Sequence, residues 1–512
     1  MRRVPFLLSL FVLLLALPAC GGGGGGDDAP ADPGAPGELR ALALQGGAAP
    51  DSGGGSFDVF PTFPIMDAAT GGWCAFVAPV TGGTTTEAVY VALPDGSGTI
   101  VLCFAQGNAV SGSARTIASF AGVWMCSDGT VIALANLTGA GGTEDFALVA
   151  VDVDGAGVLS NLRTLLIDEA SIASVVAGGI LSDIDTMTLV KEADETLWMF
   201  VTDSNGGGTH LVSIESDGTG LTKRASPGDA LVGSSVATVD AFGVSADGGY
   251  FAYAVTAVGG GRRMILKGLG ANAAVNTQIQ ADGDATPSGM GTVADAWKGG
   301  RIIPYGDGAV AWVAKGTLSG ADDIYMFYQH FATIQYAEMA RVGMTAPSTG
   351  AGMYSSIDML NAAPSASQVL FQAAVGGGAT GVNRGTFRVR GLNPVVVIRE
   401  TGDLINLSGV NVTAPFINLG QTNQPYDEVS FNGDLLYALS WNTNQDAAIF
   451  WLVRFSATTG AYFAVASQGG PAPNGETFGT FTGGLGMTCA PGVALFRAPV
   501  DMSGTGIFRQ GP

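Results

Sequence analysis

Histidine is almost missing from this chain: His210 and His330 are the only two among 512 residues. A Ser–His–Asp triad would have to be built on one of them, and no Gly-x-Ser-x-Gly turn accompanies either. Two imidazoles do not make a His-rich zinc or copper centre. Charge is thin at 13 %, and basic charge thinner, with 22 Lys and Arg against 43 Asp and Glu. The net charge of −21 argues against nucleic acid and against docking on anionic lipid headgroups. No two cysteines stand in a Cys-x-x-Cys spacing, which removes the usual redox and zinc-ribbon motifs. The Gly-rich loops lack the Lys-Ser/Thr of a phosphate cradle. No catalytic residue, metal or cofactor is therefore expected. After the first twenty residues no apolar run approaches membrane length, and no segment holds an apolar helical period.

Glycine is abundant instead, at 79 residues, and β-branched and aromatic residues recur in short runs. This is the profile of an all-β chain with many turns. The first twenty residues differ. Met1-Arg2-Arg3 is cationic, Val4 to Leu17 is apolar, and Leu17-Pro18-Ala19-Cys20 follows. The layout is that of an export signal, and its last four residues resemble the lipobox of bacterial lipoproteins. That resemblance implies cleavage after residue 19 and lipid on Cys20, with a membrane as partner through the lipid. It also implies a place in the cell envelope, on the outer membrane facing the periplasm or the cell surface. Residues 20–36 are rich in Gly, Pro and Asp and read as a flexible leash.

Residues 37–512 carry an internal repeat. The phrase around Phe76, a turn followed by an apolar strand and a Gly-rich turn, returns around Leu134, Tyr253 and Phe496, and more weakly around Phe200, Trp312, Phe371 and Leu439. The spacings are 58, 66, 53, 59, 59, 68 and 57, so the unit is roughly sixty residues and there are about eight of them. Each unit reads as four antiparallel strands joined by tight turns such as Asp154-Gly155 and Asp217-Gly218. The expectation is a single closed β-propeller of eight blades, with seven as the alternative. Residues 461–475, leading into Phe478, match residues 38–50, leading into Phe57. Residues 38–44 are thus expected to complete the last blade. The turn-strand phrase resembles repeats of uncharacterised exported bacterial propellers, and Ser216-Asp-Gly-Thr-Gly-Leu-Thr-Lys223 is similar to blade hairpins of TolB-type propellers.

Cys74, Cys103, Cys126 and Cys489 are an even set in an exported chain, so disulfides among them are expected, with the pairing open. Asp152/Asp154 and Asp282/Asp284 lack the further acids of a calcium loop and read as turn residues. The ligand-binding candidates are aromatic and amide groups: Tyr325, Tyr328 and His330 in one cluster, Trp441 and Asn442 in another. The leading reading is a monomeric, non-enzymatic scaffold for a protein or glycan partner. The alternative is an envelope carbohydrate hydrolase or lyase with carboxylates at the channel mouth.

Overall fold

A computed structural model of the chain describes residues 38–511, except 63, 139–144, 191–194, 207, 246, 287–288, 290, 306–307, 319–320, 331–334, 348–350, 364–367, 378–383, 391–392, 400–403, 408–409, 414–416, 419–426, 430–434, 443–447, 456–461, 480–486 and 491–492; many side chains of the fifth to seventh sheets also lie outside it. Cys20, the segment before it and the leash fall outside the described residues.

The described residues form eight sheets, antiparallel apart from one parallel pairing of Leu407 with Tyr462 in the seventh, and no α-helix. The eight repeat anchors sit on equivalent elements, the second strand of each sheet. These strands are Cys74–Thr81, Thr130–Leu137, Thr196–Asp203, Tyr250–Ala257, Ala309–Leu318, Gln368–Gly376, Leu435–Asn442 and Val493–Val500. The fold is an all-β propeller, and the count is eight sheets rather than seven.

Burial explains why these strands are apolar on both sides. Side chains alternate across a strand, and each sheet packs a neighbour on either face. Ala75 and Val77 pack with Val131 and Ala133 of the second sheet, while Phe76 and Ala78 pack with Leu495 and Ile507 of the eighth. Ile132 meets Met199 of the third sheet. Trp198 and Phe200 meet Phe251 and Tyr253 of the fourth. The same succession continues through Met264 with Trp312 and Ala311 with Phe371.

The eighth sheet has the order expected of the clasp. Strand Leu39–Leu44 pairs antiparallel with Gly504–Gln510, Leu39 opposite Gln510 and Leu44 opposite Gly506. The last sheet also bonds to the first. The Phe60 amide donates to Thr505 Oγ1 at 3.0 Å, and Arg497 Nη2 donates to the Phe60 carbonyl at 3.2 Å.

The connection from one sheet to the next is a recurring element. The amides of Gly46, Gly107, Glu169, Gly228, Gly283, Gly343 and Gly469 donate to the carbonyls of Phe57, Ile117, Leu181, Val236, Val293, Tyr354 and Phe478. Each acceptor residue returns a bond from its own amide to the carbonyl of the residue after the first donor, and all fourteen bonds are 2.7–3.0 Å long. The donor positions all have positive φ, from 63° at Glu169 to 90° at Gly283. Glycine occupies this left-handed region without a side-chain clash, which accounts for six of the seven. The sequence matched two copies of this link; the described residues contain seven.

Candidate binding face

Strand direction sorts the connections onto two faces. The sheet-to-sheet links and the turns between second and third strands lie together. Thr84, Thr138, Ser204, Val258 and Asp501 in those turns donate their amides to Ser52, Thr116, Ile180, Ser235 and Thr477 of the links. This is called the link face below. The remaining hairpin tips lie at the opposite end, the base. Residue 39 pairs with Gln510, at the base end of its strand, and residue 45 bonds to Thr505 at the link end. The chain therefore enters the propeller from the base.

The two faces differ in chemistry. At the base, Asp95, Asp128, Asp154, Asp217 and Asp247 each accept the amide of the residue two positions on, at 2.7–3.0 Å. These are side-chain-capped turns, as read for Asp154, whereas Asp152 is not a turn residue: it lies in the strand Phe146–Val153 and pairs with Arg163 Nη1 at 2.7 Å. Asp282 and Asp284 also cap backbone amides, those of Ala296 and Ala281. The link face instead exposes large apolar side chains: Ile180, Met353, Val232 (76 % exposed), Val258 (59 %) and Met502 (84 %). Val232 and Val258 are neighbours, since Ser234 Oγ, beside the Val232 tip, donates to the Val258 carbonyl at 2.9 Å. The base is not free of such groups: Val158 and Leu159, in the Asp154 hairpin tip, and Leu162, further along the outer strand of the second sheet, are also exposed. Leu162 lines a pocket of about 280 Å³ together with Phe104, Val110, Ile117, Asn108 and Arg163.

Titratable groups on the link face are tied into structure. Arg115 Nη1 lies 2.9 Å from Asp145 Oδ2, and Asp145 is buried. Burial, then the Asp145 carboxyl beside it, pushes Asp168 above the usual carboxylate range. Arg262 Nη1 lies 2.9 Å from Asp295 Oδ2, and its guanidinium stacks over Trp297. His210 Nδ1 lies 2.9 Å from Ser226 Oγ, both residues are buried, and Nε2 has no hydrogen-bond partner among the described residues. Burial lowers the His210 pKa below its ordinary value. A serine in that position is closed to a substrate, so the Ser226–His210 pair does not make a nucleophile.

At the base, Cys126, Asp128 and Glu195 bring one ligand atom each within 4.8 Å of one another. Burial raises Glu195, and bonds from the Ser127 hydroxyl and amide offset part of that rise. Cys74, Cys103 and Cys126 are buried thiols with no disulfide between them; the Cys489 side chain is outside the described residues. Burial pushes the Cys103 thiol well up, which makes it unreactive.

Tyr325, Tyr328 and His330 lie on Ala321–His330, the third strand of the fifth sheet, and Trp441 and Asn442 end the second strand of the seventh at its link-face end. The two groups thus belong to different sheets, and their side chains are outside the described residues. Sequence reasoning missed the apolar link-face tips. The available signal was a large apolar residue inside a Gly/Ser-rich turn, as in Leu231-Val232-Gly233 and Asp501-Met502-Ser503.

The chain matches no known protein family and no curated protein. Among solved structures, it is similar to puromycin hydrolase at 12 % identity and a TM-score of 0.38, over 90 % of this chain and 62 % of that one. An oligogalacturonate lyase in complex with manganese is similar at 10 % identity and a TM-score of 0.32, over 65 % and 96 %. TolB from Acinetobacter baumannii is similar at 12 % identity and a TM-score of 0.28, over 77 % and 79 %. Likeness this low carries no argument about activity, and the fold rests on the sheets themselves.

Proposed function

We propose that this chain is a lipid-anchored scaffold of the bacterial cell envelope that holds a partner on its link face. In this reading residues 1–19 are the export signal, Cys20 carries the lipid, residues 20–36 are the leash, and the anchor is in the outer membrane. The observation that carries it is the contrast between the faces. The chain enters from a base whose tips are Asp-capped and whose exposed apolar groups belong to one sheet, at Val158 and Leu159, whereas the opposite face bears exposed apolar tips from four sheets. An acidic base stays hydrated beside anionic headgroups, whereas apolar tips gain by being covered.

The test uses the full chain in cells of its own kind. A photo-crosslinking residue at Val232 or Met502 is expected to trap a partner, and the same residue at Asp95 or Asp217 is expected to trap none. Equal trapping from both faces, or none from either, sinks the scaffold reading. Cys20→Ala is expected to move the chain out of the membrane fraction; unchanged membrane retention removes the anchor from the proposal.

A further inference from the structure

We propose that the partner of the link face is a cationic protein surface carrying exposed apolar side chains. The inference rests on the scaffold reading and adds the chemistry of what is bound.

Size comes first. The apolar tips belong to the third, fourth, sixth and eighth sheets. They are distributed over the face, so one small molecule does not touch them all, whereas a protein surface does. Charge comes second. Three basic side chains described on this face are already engaged: Arg115 with Asp145, Lys223 with Asp229 at 3.1 Å, and Arg262 with Asp295. Arg263 is spent on the Val232 carbonyl and Gln278 Oε1. Asp51, Glu169, Asp284 and Asp501 are exposed and make no ion pair among the described residues. What the face offers is unneutralised negative charge around apolar tips. A complementary surface brings positive charge and apolar groups together; charge of this kind sets the on-rate and the choice of partner, and apolar burial adds affinity.

The membrane is the rival occupant, because a leash of about sixteen residues is long enough to let the propeller turn over. Entry at the base and acidic charge on both faces favour the protein. The experiment decides between them.

Full-length lipidated chain in a neutral detergent is titrated into a labelled amphipathic peptide of Lys and Leu, and separately into the same peptide with Glu for Lys and with Ser for Leu. Binding of the Lys/Leu peptide is expected to weaken at least about tenfold between about 50 mM and about 300 mM salt. The triple variant Glu169→Lys, Asp284→Lys, Asp501→Lys is expected to weaken it by a similar factor. Asp95→Lys, Asp154→Lys, Asp217→Lys at the base makes the same charge change and is expected to leave it within about twofold. Equal weakening by both triples overturns the proposal, since net charge alone would then be at work. Equal binding of the Lys/Ser peptide, tighter binding of the Glu/Leu peptide, or binding to phosphatidylcholine vesicles that is abolished by Val232→Asp and Met502→Asp each overturns it too. If link-face crosslinks persist in cells while the Lys/Leu peptide fails to bind, the scaffold stands and the cationic partner falls; if no crosslink forms, the scaffold reading itself has failed.

Discussion

Arg509 and Leu93 lie 416 residues apart, and Arg509 Nη1 donates to the Leu93 carbonyl at 2.7 Å and to the Gly72 carbonyl at 3.1 Å. The guanidinium is 1 % exposed. It belongs to the same strand that receives the N-terminal clasp, so one strand joins the last sheet to the first residues of the propeller and to the hairpin tips of the first sheet.

Arg509→Met keeps much of the side-chain volume and removes the donors, taking a hydrogen bond from the Leu93 carbonyl and leaving the Gly72 carbonyl only its long contact from Cys74 Sγ. A loss of about 2–4 kcal/mol is expected in urea unfolding of the full chain. A loss under about 0.5 kcal/mol would mean that apolar packing of Leu495 and Ile507 on Phe76 holds the seam without it.

Glu169 occupies the left-handed link position that glycine fills six times, with φ at 63°. Its side chain is exposed, so replacing it removes strain and little packing. Glu169→Gly is expected to stabilise the protein by about 1 kcal/mol, and Gly228→Ala at the equivalent site to destabilise it by a similar amount. Thermal unfolding of both variants checks the pair, and a destabilised Glu169→Gly would show that the carboxylate has a role the link does not require.

His210 is held neutral by burial, with Asp203, Lys223 and Asp229 as the charged groups around it. Its folded pKa lies below the unfolded value, so the unfolded chain binds the extra proton first. The contribution to stability is thus present above pH ~6.5 and is lost as the pH falls below it. His210→Gln is expected to flatten the fall in melting temperature between about pH 7.5 and about pH 5.5. An unchanged slope would assign the acid sensitivity elsewhere.

Glu195 sits half-buried beside Asp128, and its folded pKa is raised. Ionisation is therefore unfavourable to the fold, and that penalty grows as the pH rises through and above the ordinary carboxylate value. Gln keeps the oxygen that accepts from Ser127 and removes the charge. Glu195→Gln is expected to raise the melting temperature at neutral pH and to lose that advantage near pH ~4. A variant equally stable to the parent at both values would rule out a cost from burying this charge, and with it the smaller repulsion from Asp128.

Much of the fold was legible in the sequence, because the information is local. A turn, an apolar strand and a second turn repeat at similar spacing, and all eight anchors, Phe76 to Phe496, fall on second strands. The clasp was legible too, since the segments leading into Phe57 and Phe478 carry the same phrase. The link was harder. Its defining property is a left-handed residue bonded to an apolar residue about ten positions on, and in the copy at Glu169 no glycine marks it.

The candidate face was not legible. Val232, Val258 and Met502 each look like an unremarkable turn residue, and the aromatic runs around Tyr325 and Trp441 drew attention because they are dense in sequence. Composition and periodicity by themselves determined an all-β repeat with a complementary first strand, since strand alternation and tight turns are set within a few residues. Only the tertiary structure decided which tips share a face and from which side the chain arrives. That depends on strand direction summed around eight sheets, which brings residues from four separate sheets to one end and sends the Asp-capped tips to the other.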